Sequence, residues 1–122
     1  MQLTLENPDF RYSLRGVSEQ GILVNDRCLA ASFILSPMAL IEDWRPSQVG
    51  ELRAEDMDPV LALNPSVVLL GSGARIQFPS AAVMATCLTR GIGIEVMDNR
   101  AAARTFNVLA AEARTVVAAF LL

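Results

Sequence analysis

Residues 65–73, Pro65-Ser66-Val67-Val68-Leu69-Leu70-Gly71-Ser72-Gly73, set four consecutive branched apolar side chains between a proline and a Gly-Ser-Gly turn. The run is too short for a helix and does not alternate, so it predicts a strand buried on both faces, at the centre of a sheet. Such a strand needs a covering layer on each side. The segments before and after it must therefore supply those layers, and the crevice at its carboxyl end is where an open α/β sheet places a ligand.

The preceding half reads as β structure. Phe10, Tyr12 and Leu14 recur at period two with Arg11, Ser13 and Arg15 between them, an apolar row beside a solvated one, and Gly16 with Ser18-Glu19-Gln20-Gly21 marks a turn. Ile22-Leu23-Val24 and Arg27-Cys28-Leu29 flank Asn25-Asp26, whose side chains tolerate a left-handed hairpin turn. Ser32 to Leu35 forms a third run stopped by Ser36-Pro37, and Met38 to Ile41 adds a short strand before Trp44 and Arg45-Pro46 break the pattern.

After Pro46 the character changes. Early acidic residues, a proline and a terminal Asn64 fit a short helix within residues 54–64. Beyond the apolar run, Pro79 and Ser80 open a second helix whose buried stripe is Val83, Met84, Cys87 and Leu88, closed by Arg90-Gly91. Ile92 to Met97 is the next strand, and Asp98 or Asn99 caps a third helix. Thr115 to Leu122 reads as a closing strand, with a helix as the alternative. The order points to one α/β domain over residues 1–122, in which a β-rich N-terminal half leads into a β-α-β-α-β unit with a central mixed sheet.

Composition narrows the functions. All ten basic residues are arginine, against thirteen acidic residues, so the net charge is −3 and no basic run exists to grip nucleic acid. Histidine is absent and only Cys28 and Cys87 are present, which leaves neither a zinc site of the usual kind nor histidine-based acid/base catalysis, and no cofactor is indicated. The two thiols read as buried in a reducing compartment, with a redox role as the weaker alternative. Neither a leader peptide nor a membrane-spanning run is legible, which places the chain in the cytoplasm without membrane insertion. A hydrophobic share of 52% suggests a filled core and an apolar surface kept for a partner, a second copy of the chain included.

Two groups of residues invite chemistry. Gly71-Ser72-Gly73 lacks the third glycine or following lysine of a nucleotide loop, so the glycines read first as a sharp strand exit, with a small anion held by their N–H groups and Arg75 as the alternative. On the third helix Ala102, Phe106, Leu109, Ala110 and Ala113 fall on one stripe, Arg100, Arg104 and Asn107 gather opposite, and Thr105 with Glu112 lie along a border. Arg104, Thr105, Glu112 and Arg114 form a structural polar network in the first reading; in the second, Gly71, Ser72, Gly73, Arg75, Glu95, Arg104 and Asn107 line a ligand crevice. No catalytic residue is assigned, since Ser72 has no histidine or lysine base.

Gly91-Ile92-Gly93-Ile94-Glu95-Val96-Met97-Asp98-Asn99, followed by Ala101 to Leu109, Glu112 and Arg114, resembles the signature of the domain of unknown function 498 family, also called the Mth-type domain. The likeness extends to Gly71-Ser72-Gly73, Val24-Asn25, Ser36-Pro37 and Trp44. Asn99 departs from the family's usual threonine and Ala103 from a common cysteine, which removes thiol chemistry from that helix. The resemblance implies a single three-layer α/β domain that often self-associates. It also implies kinship with mitochondrial respiratory complex I assembly factor 3, hence an assembly or interaction module as the leading function and a small-ligand or anion-binding domain as the alternative.

Overall fold

The computed structural model describes residues 11–122. The chain opens with β1 (Leu14–Ser18), β2 (Gly21–Val24) and β3 (Arg27–Leu29), then β4 (Phe33–Leu35) and β5 (Leu40–Ile41). Two short 3-10 turns and α1 (Asp58–Leu61) lead to β6 (Val67–Gly71), α2 (Ala81–Leu88), β7 (Gly93–Met97), α3 (Asn99–Ala111) and β8 (Val116–Phe120). The expected alternation of strands and helices is present, and the closing segment is a strand. The period-two row begins only at Leu14 and runs through Gly16, so the turn falls at Glu19 and Gln20; Phe10 lies outside the described residues.

The strands divide between two sheets. β1, β2 and β3 form an antiparallel meander of their own, while the larger sheet runs β5-β4-β8-β6-β7. In the larger sheet β6 is parallel to both β7 and β8, and β4 is antiparallel to β8 and β5, which makes it mixed. β6 is buried on both faces as its apolar run requires, but it stands one place in from the margin, and the middle strand is β8. The two strands are equally apolar, and which lies in the middle depends on pairings across some fifty residues that no local pattern encodes.

Two cores line the two faces of this sheet. Leu69, Ala118 and Phe120 point toward α3 and the meander, where Phe33, Leu35, Ile22, Val24 and Phe106 are buried. Val68, Leu70, Val117 and Ala119 point the other way, against Trp44, Met57, Val60, Val83 and Cys87. The chirality of the connections explains the split. β6-α2-β7 steps outward across the sheet and β7-α3-β8 steps back, and right-handed crossovers travelling in opposite directions put their helices on opposite faces.

Register sets the packing on β8. Ala118 lies between Leu35 and Leu69, and Ala119 between Ile34 and Leu70, so a small residue on the middle strand accommodates a large one on each neighbour. At the next pair Phe120 stacks on Phe33 with ring centres 5.0 Å apart and lies opposite Gly71. A Cβ at Gly71 would stand 2.8 Å from the Phe120 ring and 2.4 Å from Asn99 Oδ1, so glycine is needed there for close approach.

The helices differ from expectation at their ends. α2 has eight residues and buries Val83 and Cys87, leaving Leu88 exposed. α3 buries Ala102, Ala103, Phe106 and Ala110; Leu109 is half-buried, and Ala113, at φ 60°, has left the helix and is exposed. Ala103 belongs to the inward stripe because the meander, as well as the larger sheet, packs on α3. Cys28 is exposed on β3 and Cys87 is buried on the far face of the larger sheet, so the expectation of two buried thiols holds for Cys87 alone.

Candidate functional site

The carboxyl ends of β6, β7 and β8 lie level, because Gly71 pairs with both Met97 and Phe120. Three chain exits therefore meet: Ser72-Gly73, Asp98-Asn99 and Leu121-Leu122. Asn99, 4% exposed, ties them together. Its Nδ2 donates to Leu121 O at 3.0 Å, its Oδ1 accepts from Gly73 N at 3.1 Å, and its own N–H donates to Gly73 O at 2.8 Å. Asp98 is the helix cap, accepting from Ala101 N at 2.8 Å, which leaves Asn99 free to act as the clamp.

Ser72 organises the loop beyond β6. Its buried hydroxyl accepts from Gln77 N at 2.9 Å and lies 2.8 Å from Arg75 O and 3.2 Å from Met97 O, its one proton serving the nearer carbonyl. The hydroxyl is saturated by structural partners. The bonds hold residues 74–78 in an outward curve, and Ile76 (53% exposed) and Phe78 (68%) project from it.

A cavity of about 400 Å³ opens beside this junction, lined by Ser72, Gly73, Asn99, Arg100, Leu121, Leu122 and, from the meander, Val17 to Glu19. It adjoins a groove of about 200 Å³ between β1 and α3, with Val17 and Arg100 common to both walls. Arg15 contributes from β1, and Arg100, Arg104 and Asn107 from α3. Asn107 is its brace: Nδ2 donates to Leu14 O at 2.6 Å and Oδ1 accepts from Leu14 N at 2.9 Å, so one side chain replaces two strand-ladder bonds and holds β1 on the helix.

The candidate ligand residues are thus divided. Ser72 and Gly73 border the cavity, Arg104 and Asn107 border the groove, Gly71 is enclosed in its strand, and Arg75 and Glu95 border neither. The structural network of Arg104, Thr105, Glu112 and Arg114 is not assembled among the described residues. Arg104, Glu112 and Arg114 are exposed, Thr105 bonds Met97 Sδ at 3.5 Å, and the ion pairs lie elsewhere, Arg27 with Glu42 and Arg45 with Asp56. Arg104 and Glu112 share a border of the helix only at a separation of eight residues, roughly 12 Å along its axis, and Glu112 lies past the last turn, so the two do not pair.

Sequence reasoning missed Arg15 as a wall residue and Asn99 as a clamp. The polar face of α3 is readable from spacing; that β1 would lie across it is not, since antiparallel meanders carry no local signal of what covers them. For Asn99, the signal is an amide, with donor and acceptor both, directly after a competent N-cap. Burial pushes the Cys87 thiol up and leaves it protonated. Among the described residues no helix is long and apolar enough to cross a membrane.

Comparison with known proteins places the chain. It is 53% identical to a Xanthomonas campestris protein of known solution structure, which superposes with a TM-score of 0.84 over 99% of this chain and 92% of the other. A Bordetella pertussis protein described as a Mth938-like domain superposes with a TM-score of 0.83 at 25% identity, covering 99% of this chain and 92% of its own. NADH dehydrogenase [ubiquinone] 1 alpha subcomplex assembly factor 3 of Danio rerio is 32% identical over 114 residues, 92% of this chain; the chain spans 62% of that relative's length. Residues 14–121, from the first strand to the residue after the last, match the family described as a protein of unknown function (DUF498/DUF598), and the chain belongs to that family.

Proposed function

We propose that this chain is a non-catalytic protein-interaction module of the assembly-factor kind, which docks an apolar segment of a partner through the loop after β6. The observation that carries the reading is the pair Ile76 and Phe78, 53% and 68% exposed on a loop pinned by the buried Ser72 hydroxyl. An ordered loop that holds a phenylalanine in water forgoes burial worth about 1.5–3 kcal/mol, which a partner's surface would recover. Support also comes from the relatives named as assembly factors of NADH dehydrogenase. The module's partner would be a protein subunit awaiting incorporation, and self-association through the same loop is a second form of the same reading.

Affinity capture from native lysate, with wild type and Phe78→Ser side by side, tests this. A specific partner retained by wild type and lost by the variant is the expected result, and equilibrium sedimentation of both distinguishes a second copy from a foreign chain. Recovery of the protein alone and monomeric, or equal retention by Phe78→Ser, overturns it.

A further inference from the structure

We propose that the groove between β1 and α3 is a binding site for a phosphomonoester, with the phosphate held by Arg15, Arg100 and Arg104 and the organic part resting in the adjoining cavity. The charge distribution is the first ground. The chain is acidic overall, yet three of its ten arginines border one groove of about 200 Å³, and no carboxylate is among the residues lining it. Three arginines lining one groove bring like charges to it, which a bound oxyanion would offset; planar forks match phosphate oxygens two at a time. Among the described residues neither of the ion pairs involves any of the three, so no internal anion fills the role.

The second ground is rigidity. Arg15 is one residue from Leu14, whose N–H and C=O are both fixed by Asn107, and Arg100 is one residue from the clamped Asn99. The arginines therefore rise from anchored backbone on both walls, so binding has only their side chains to order and not the chain that carries them. The third ground is shape. Arg100 stands where groove and cavity meet, and the cavity of about 400 Å³ is within the range for a small organic ligand, with Val17, Leu121 and Leu122 as apolar wall. Glu19 lies on the cavity's wall and not the groove's, so a ligand with a single anionic end is favoured over one with two.

Titration of the full chain with phenyl phosphate, inorganic phosphate and phenol, followed by backbone amide NMR shifts, tests this. The expected result is saturable movement of residues 14–18 and 99–107 by phenyl phosphate with a Kd of about 1 mM or tighter, weakening as salt is raised. Inorganic phosphate should bind the same residues about tenfold more weakly, and phenol should leave them unmoved. Arg104→Gln should weaken phenyl phosphate at least about fivefold, with Arg104→Lys retaining part of the affinity. Arg75→Gln and Phe78→Ser should leave binding unchanged, which separates this site from the interaction loop. No saturation by about 10 mM, equal affinity for phenol, equal affinity for inorganic phosphate, or an Arg104→Gln chain that spectra show folded and that binds as before, each overturns the proposal.

Discussion

The two sheets of this molecule bury themselves in different ways. The five-stranded sheet is covered on both faces, and its middle strand β8 is buried at every residue from Val116 to Phe120. The three-stranded meander is covered on one face: Leu14, Ile22, Val24 and Leu29 turn inward, while Gly16 and Cys28, paired through Leu23 on the other face, are exposed. The difference separates two kinds of stability. The larger sheet is held by packing from both sides, whereas the meander is held by one apolar face and by the bonds of Asn107, so it is the part that can open while the rest stays folded.

The strongest way to break this contrast is at the layer the sheets share. Phe106 is fully buried in the core that joins α3 to both, so Phe106→Ala should cost about 3–5 kcal/mol and lower the stability of both sheets together, seen as one displaced transition by circular dichroism and by intrinsic fluorescence. Two separated transitions would show that the meander does not depend on that core. Gly71→Ala should act first within the larger sheet. Its methyl meets Asn99 Oδ1 and Phe120, and overpacking of about 1–3 kcal/mol should follow in urea unfolding, with amide protection falling first at the exits of β6 and β8.

Asn107→Ala sharpens the contrast. It leaves the Leu14 N–H and C=O unpaired and should cost about 1–3 kcal/mol. Hydrogen exchange should rise across β1 and β2 while β6 and β8 keep their protection; uniform loss across both sheets would mean that the meander is not a separate unit. The smallest effect belongs to Asp56, whose neighbour Met57 packs on the face of the larger sheet opposite the meander. The Arg45 guanidinium, foremost, and the Arg53 N–H hold its carboxyl below the ordinary aspartate value of about 3.9, against the opposing effect of burial. A depressed folded-state pKa contributes stability that is full above the unfolded value and lost as pH falls through the folded one. Asp56→Asn should therefore flatten the stability profile below about pH 4 and leave the meander's exchange rates as they were.

The same contrast explains what could be read in advance. The runs at 67–70 and 115–122 are unbroken because both faces are covered, which identifies interior strands but not their order. Asn25-Asp26 with φ 53° at Asn25 is a local device, and so the hairpin it closes is legible. The helical face of Arg100, Arg104 and Asn107 is equally local. What lies opposite it is not: β1 reaches α3 across more than eighty residues, and neither the arginine groove nor the double bond from Asn107 to Leu14 could be placed before the chain was folded. Ala113 falls on the predicted stripe because spacing continues past the point where a helix stops, and α3 ends at Ala111; Leu88 is still within α2 but stands about 100° round the helix from Cys87, on its exposed side.

The margin formed by β7 has a bearing on how the molecule behaves in company. Among the described residues its outer side pairs with nothing, and Gly93-Ile94-Glu95-Val96-Met97 carries one charge amid apolar neighbours. Such a margin is a template on which another molecule's strand could align. Glu95, exposed there, would oppose that growth wherever stacking copies brought their like charges into register. Replacing it with valine should leave the fold in place and turn dilute solutions turbid on standing, a change light scattering would register long before any spectrum did.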